Sequence, residues 1–362
     1  MLKTIPVSDK KFEKLLVPED IMIHEALKRM DEGAEKILMV VDGSGKLQGT
    51  ITDGDIRRWI LREGNMNATV AGLYQRSPKT APEHFDIVQV KAVMIREKIE
   101  VIPVVDSEGR LVNVLLWDEI FSDRKTPGRS SLNVPVVVMA GGQGGRMDPL
   151  TKILPKPLIP LGEKPIVELI MDRFAEFGCS EFYLTVHYKG KMIQSYFENT
   201  DCRYRVKLLW EDRPGGTAGG LRLASEWVNT ESFFVTNCDV MVKTDYADLL
   251  EFHRQRGADL TIVSSIRHFT VPYGVLETDE EGFLTKIAEK PEYDFWVNTG
   301  LYVLRKEVIR HIPKTGAFDF PDLIRQLSMS GGKISVYPVS QSSWVDMGQL
   351  HEYQKALQNI QS

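Results

Sequence analysis

The chain has 362 residues, more than one hydrophobic core usually serves, and its 43% apolar and 26% charged content is that of a folded globular protein. A formal net charge of −5 argues against a nucleic-acid surface as the main partner. Three cysteines without paired or metal-ligand spacing (Cys179, Cys202, Cys238), no signal-peptide core near Met1 and no run approaching the ~18 apolar residues of a membrane span imply a cytoplasmic protein with no membrane partner.

The first third of the chain repeats itself. Pro18-Glu19 recurs as Pro82-Glu83, an offset of 82 − 18 = 64, and the same offset carries Val41-Asp42 onto Val105-Asp106, Gly45 onto Gly109 and Leu47 onto Leu111. Each copy has a helical apolar pattern (Ala26, Leu27, Met30; Val90, Val93, Met94), then a strand, a glycine turn, a second strand and a short closing helix. Two copies too small to close separate cores are expected to pack as one domain. The repeat resembles tandem CBS modules, whose nucleotide ligands, a Ser/Thr and an Asp three positions later, would stand in copy one as Thr52 and Asp55, the hydroxyl for phosphate and the carboxylate for ribose. Both residue types are equally suited to cap the helix beginning near Ile56. Copy two has Leu116 and Glu119 at these places, which suits phosphate poorly.

Residues Ser122 to Pro135 are polar and basic, with Pro127-Gly128 and Ser130-Ser131, and read as a joint. The expected division is 1–125 for the repeat pair, 126–133 for the linker and 134–362 for a second domain. Beyond it, apolar strands (Val136–Met139, Phe182–Val186, Val206–Leu209, Phe233–Thr236, Leu260–Val263) alternate with helical patterns (Ile166–Phe177, Lys191–Phe197, Leu221–Glu226, Tyr246–Arg256). That alternation predicts an α/β domain with a mainly parallel, Rossmann-like sheet, preceded by the smaller α/β repeat domain. Ligands of such sheets bind beyond the carboxyl ends of the strands.

Chemistry-bearing residues stand at those ends. Val136–Met139 runs into Ala140, Gly141, Gly142, Gln143, Gly144, Gly145 and Arg146, and Lys156 follows between Pro155 and Pro157. Glycines bring backbone N–H groups close to phosphate oxygens, and the two cations supply charge-assisted bonds, so the segment suits a polyphosphate. Its spacing fits neither the Walker loop nor the dinucleotide loop. Asp239 follows the strand Phe233–Thr236, and a carboxylate there suits Mg²⁺, which is commonly held by one or two carboxylates plus substrate phosphates.

The string Ala140-Gly141-Gly142-x-Gly144-x-Arg146, with Pro149-Leu150-Thr151 and Pro155-Lys156-Pro157-Leu158, resembles the opening motif of the sugar-1-phosphate nucleotidyltransferases. Gly145 departs from it, standing where a threonine or serine hydroxyl is usual. The resemblance extends from Val134 nearly to the C-terminus. It implies that Gly216, Thr217 and Ala218 join the loop (140–142, 144, 145) in binding nucleotide, and that Arg146, Lys156 and Asp239 are catalytic. It further implies that Glu289, Lys290, Asn298 and Thr299 bind the sugar phosphate, and that Asp239 and Asp346 hold Mg²⁺. Gly219, placed where thymidylyl-transferring relatives have glutamine, disfavours dTTP and UTP.

The repeat pair is similar to tandem CBS modules, which implies AMP or ATP at Thr52 and Asp55 and a homo-oligomer. CBS-fused members of the nucleotidyltransferase family resemble the guanylyltransferases of bacterial legionaminic acid synthesis, so GTP and glucosamine-1-phosphate are the expected substrates, in nucleotide-sugar supply for a cell-surface glycan. Mannose-1-phosphate with GTP, a cytidylyltransferase, and a non-catalytic sugar-nucleotide sensor are the alternatives.

Overall fold

The computed structural model describes residues 12–33, 37–63, 65, 67–121, 131–341 and 343–361. The chain divides into two compact units, Met1–Ile120 and Phe121–Ser362. The joint at 122–130 lies outside the described residues, while Leu132 and Ser131 are bonded to Phe177 and Gly178 of the second unit.

The first unit is built twice. Leu16–Val17, Ile37–Val41 and Leu47–Thr52 form one three-stranded sheet, and Ala81–Pro82, Val101–Val105 and Leu111–Leu116 form its counterpart. In both, a parallel pair is followed by an antiparallel hairpin. The hairpin turns are chemically alike, since Asp42 accepts the N–H groups of Ser44 and Lys46 and Asp106 those of Glu108 and Arg110. These bonds hold both carboxyls below their ordinary range, led by the Ser44 hydroxyl at Asp42 and the Arg110 N–H at Asp106. The turns also hold each other: Leu47 N–H donates to Gly109 O and Leu111 N–H to Gly45 O, both at 3.0 Å. That reciprocity is what a two-copy unit needs to close one core.

The second unit is organised by a seven-stranded sheet. Its order is Arg205–Trp210, Glu181–Val186, Val136–Met139, Ser232–Asn237, Glu292–Arg305, Leu260–Thr270 and Ile334–Val339. Among these, Glu292–Arg305 alone runs antiparallel to its neighbours, so the sheet is mainly parallel. Val136, Val137, Val138, Phe233, Phe234 and Val235 are fully buried, as strands covered on both faces require. On one face Phe174, of the helix Ile166–Ala175, and Tyr246, of the helix Tyr246–Arg256, stack at 4.2 Å over Phe234. Side chains alternate along a strand, so Tyr302, paired with Val235, points the other way. There it stacks at 3.9 Å on Phe320 of the helix Phe320–Met329.

Strand order reverses at the central strand. From Val136–Met139 the chain moves outward through Glu181–Val186 to Arg205–Trp210, then returns to Ser232–Asn237 on the opposite side. The crevice beyond the carboxyl ends of Val136–Met139 and Ser232–Asn237 is the topological switch point, where a ligand site is expected.

One buried ionisable group lies away from that crevice. His253 is 1% exposed, and its Nδ1 is 2.8 Å from Thr261 Oγ1. Burial, reinforced by Arg305 and Arg254, lowers its pKa from 6.5 to about 4. As pH falls below 6.5 the unfolded chain takes up this proton before the folded one, so stability present above that value is lost on the way down to about 4. The thermal midpoint of wild type is therefore expected to fall more steeply between pH 7 and 4.5 than that of His253→Asn. Parallel profiles would show that His253 contributes nothing to the slope.

Candidate active site

The glycine loop leaves the central strand with little freedom. Ala140 N–H donates to Thr185 O at 3.0 Å, and Tyr188 N–H to Gly141 O at 3.4 Å, so the neighbouring strand end fixes where the loop begins. Gly144 has φ +71, and a Cβ there would lie 2.9 Å from Thr151 Cγ2 and 3.1 Å from Lys156 Cβ. Only glycine meets both conditions. Thr151 closes the loop from the other side, its hydroxyl donating to Asp148 Oδ1 at 2.7 Å and standing 3.2 Å from Gly144 O. Gly142, Gly145 and the Arg146 side chain are exposed. A Cβ at Gly145 would meet nothing within 4 Å, so the missing hydroxyl reflects no steric exclusion.

Lys156 follows a single turn of helix, Leu150–Ile153, and the extended Pro155. It is 7% exposed and its Nζ pairs with Asp239 Oδ2, itself 6% exposed. Asp239 is delivered by the strand Ser232–Asn237, whose Asn237 lies beside Met139 in parallel register. Asp346 arrives from nearly the other end of the sequence. Val240–Val242 and Trp344–Asp346 form an antiparallel pair with Val240 opposite Asp346, and Met347 N–H donates to Asp239 O at 2.8 Å. All three charged groups surround Gly348. A Cβ built there would lie 3.1 Å from Lys156 Nζ, 2.8 Å from Asp346 Oδ1 and closer still to Asp239 Oδ2.

Asp239 and Asp346 are hard oxygen donors, and the Gly348 backbone leaves open a space that a side chain would fill. Among the described residues no group of three or more His, Cys, Asp or Glu could hold a metal ion. Two carboxylates without a protein cage fit Mg²⁺, which keeps positions for water and substrate phosphate. Neighbouring Cys238 is not a competing nucleophile, because burial, and then the charge of Asp239, push its thiol up to about 12.

Glycine-rich residues 215–220 are held by a second segment. Gly216 has φ +80; Thr217 N–H and Oγ1 both bond to Asp319 Oδ1, at 2.7 and 3.0 Å. The N–H groups of Ala218 and Gly219 donate to Phe318 O. Ala218 and Gly219 are buried, while Thr217 is exposed and its hydroxyl also accepts the Phe320 N–H at 3.0 Å. A residue that sequence reading missed joins the two glycine segments. The Glu211 carboxylate accepts the Gly215 N–H at 2.9 Å and packs against the Cα atoms of Gly141 and Gly220. Its backbone carbonyl is 2.9 Å from His187 Nδ1, which places the imidazole proton on Nδ1.

The residues assigned to sugar phosphate divide. Where Glu292–Arg305 pairs with Leu260–Thr270 the register slips, from Tyr302 opposite Ile262 to Asn298 opposite Ser264. The bulge sets Gly300 against Asn237, two residues before Asp239. Asn298 is exposed within it, its Nδ2 donating to Tyr302 Oη at 2.8 Å. Thr299 points the other way: it is 2% exposed and its hydroxyl donates to Val263 O at 2.8 Å. Its side chain is thus a bulge anchor and is withdrawn as a sugar contact. Glu289 and Lys290 are exposed on the hairpin Gly274–Thr278/Leu284–Glu289 and its exit, with Lys290 at φ +45 and its N–H on Tyr273 O. Neither makes a bond to the Lys156 cluster among the described residues.

In the first unit, Thr52 and Asp55 form a reciprocal capping box at the start of the helix Asp53–Glu63. Asp55 N–H donates to Thr52 Oγ1 at 3.1 Å, and Asp55 Oδ2 accepts the Thr52 N–H and hydroxyl at 2.9 and 2.7 Å. Leu116 is buried. The side chain of Glu119 lies outside the described residues.

Gly348→Ala is expected to push Asp239 and Asp346 apart and loosen Lys156, lowering stability by about 1–3 kcal/mol, as overpacking does, and weakening Mn²⁺ binding in calorimetry. An alanine variant with unchanged stability and metal affinity would show that the three charges do not share this point.

A nucleotidyl transferase family model matches residues 135–362, and a CBS domain model matches 12–62 and 70–123. A UTP–glucose-1-phosphate uridylyltransferase of Synechocystis is 30% identical over 251 residues, covering 62% of this chain and 63% of that protein. A mannose-1-phosphate guanyltransferase of Pichia angusta is 32% identical over 230 residues, covering 60% and 61%. The chain therefore matches about three fifths of the length of each of these relatives. HddC of Yersinia pseudotuberculosis, a solved structure, superposes with TM-score 0.51 at 26% identity over 63% of this chain and 99% of that one, and it has also been solved with GMP-PN. With the family model spanning well over half its length, the chain belongs to the nucleotidyl transferase family and carries a pair of CBS domains ahead of that match.

Proposed function

We propose that the chain transfers a nucleoside monophosphate from an NTP, with GTP favoured, to a hexose 1-phosphate, releasing pyrophosphate. The observation that carries this reading is the meeting of Lys156, Asp239 and Asp346 around Gly348, beside the glycine loop at the switch point of the sheet. An oxygen of the sugar phosphate attacks the α-phosphorus in line. One P–O bond forms, the α–β bridging bond breaks, and its electron pair leaves with pyrophosphate. A phosphate monoester is ionised at neutral pH, so no general base is needed, and the protein acts by position and charge.

The roles are assigned from the family resemblance together with each residue's place in the fold. Backbone N–H groups around Gly142 and Gly145, with the exposed Arg146, hold the β- and γ-phosphates. Lys156 exchanges its pairing with Asp239 for the α-phosphate, where negative charge grows. Asn298, Glu289 and Lys290 receive the sugar phosphate. Asp239 and Asp346 would hold Mg²⁺, which supplies charge neutralisation to the phosphate oxygens when bound.

GTP is favoured because mannose-1-phosphate guanyltransferases are among the relatives and HddC has been solved with GMP-PN. Mannose-1-phosphate has the support of those guanyltransferases alone, while glucosamine-1-phosphate rests on the CBS-fused layout. A uridylyltransferase relative keeps UTP in the comparison. For the CBS pair the reading is a homo-oligomer with AMP or ATP bound by opening the Thr52–Asp55 box, in a cytoplasmic enzyme.

Pyrophosphate release from four NTPs, each with glucosamine-, mannose- and glucose-1-phosphate, tests the reading, with GTP expected to be fastest. Silence across the panel would leave a sugar-nucleotide sensor in its place. In the active pair, Lys156→Ala is expected to lower turnover by about 10²–10³. Asp239→Asn should abolish it while circular dichroism stays native. Near-normal rates in either variant would remove that residue from the site.

A further inference from the structure

We infer that Lys189 is a positioning residue for the nucleotide loop, holding Gly144 and Lys156 in place through the backbone of Thr151 and Lys152. Lys189 stands three residues after the strand Glu181–Val186, and local rules argue against a lysine there. Its φ is +52, the left-handed region that a Cβ disfavours. It is also the N-cap of the helix Gly190–Glu198, which receives no side-chain cap. A cation at that end opposes the helix dipole. Several local penalties at one residue point to a role elsewhere in the fold.

The ammonium shows what that role is. Lys189 Nζ donates to Thr151 O at 3.0 Å and to Lys152 O at 2.7 Å. These carbonyls belong to the single turn Leu150–Ile153, too short to satisfy its own C-terminal oxygens. A cation is the suited donor at that end. From there the constraint passes two ways. Thr151 packs its Cγ2 against Gly144, and its hydroxyl, donated to Asp148 Oδ1, stands 3.2 Å from Gly144 O. The chain that leaves Lys152 reaches the buried Lys156 four residues on. Tyr188 N–H on Gly141 O and His187 Nδ1 on Glu211 O tie the preceding residues to both glycine segments. The run His187-Tyr188-Lys189 is thus a clasp on the loop, and Lys189 is the member that reaches its far end. Lys189 touches no reacting atom.

The inference rests on the nucleotide reading of the loop, so its test separates the two. Lys189→Met is expected to raise the KM for GTP about ten- to a hundredfold, as misplacement of positioning groups does, and to leave the KM for sugar phosphate unchanged. Hydrogen exchange of residues 141–158 should quicken, while the thermal midpoint moves little. Lys189→Arg, which can still donate to two carbonyls, should recover most of the loss. Should Lys189→Met fail to fold, Thr151→Val, which removes the hydroxyl at Asp148 and Gly144 but keeps a methyl against Gly144, is expected to give the same selective rise. An unchanged KM for GTP in either folded variant, or equal losses for both substrates that follow the melting temperature, would overturn the inference. If wild type transfers nothing from any NTP, the proposed function fails, yet GTP affinity and the exchange rates of 141–158 still decide whether Lys189 holds the loop.

Discussion

A buried lysine facing a buried aspartate is the constraint on which the candidate site depends. Lys156 and Asp239 are 83 residues apart, and each has left water almost completely. Desolvating two such charges is expensive, and the pair adds little net stability over an apolar replacement. Its placement therefore comes from elements around it: Pro155 setting an extended approach for Lys156, parallel pairing of Ser232–Asn237 with the central strand, and the pairing of Val240 with Asp346. The arrangement leaves a cation and two carboxylates where only a glycine backbone fits between them. Removing either partner leaves the other buried and uncompensated, so the pair cannot drift without consequence.

Much of this was legible in the sequence because it obeys local rules. Val136–Met139 and Tyr246–Arg256 match their expected bounds, since an apolar run and a capped amphipathic segment announce themselves. The 64-residue repeat became two three-stranded sheets whose Asp42 and Asp106 turns are superposable in chemistry. Lys156, Asp239 and Asp346 could be grouped in advance because the family resemblance carried them, although nothing in their own neighbourhoods states that they meet.

The remainder depended on long-range geometry. Thr299 reads as a polar residue beside Asn298, and only the two-residue register slip turns its hydroxyl into the sheet. Glu211 looks like a surface acid until the Gly141, Gly215 and Gly220 backbones are seen around its carboxylate. Lys189 carries the weakest signal of all, since its left-handed backbone and its two carbonyl partners have no sequence signature. At Thr52 and Asp55 the helix-capping alternative is present in the structure, with both side chains bonded to each other. A nucleotide there has to open that box.

Because Lys156 already neutralises Asp239, a divalent cation gains least when the lysine has nowhere else to go, and most when a triphosphate draws it away. Binding of Mn²⁺ by electron paramagnetic resonance, with and without a non-hydrolysable GTP analogue, tests this directly. The account requires weak binding to the protein alone, stoichiometric binding with the analogue, and loss of that gain in Asp346→Asn. Mn²⁺ affinity that ignores the nucleotide, or that survives Asp346→Asn, would contradict it.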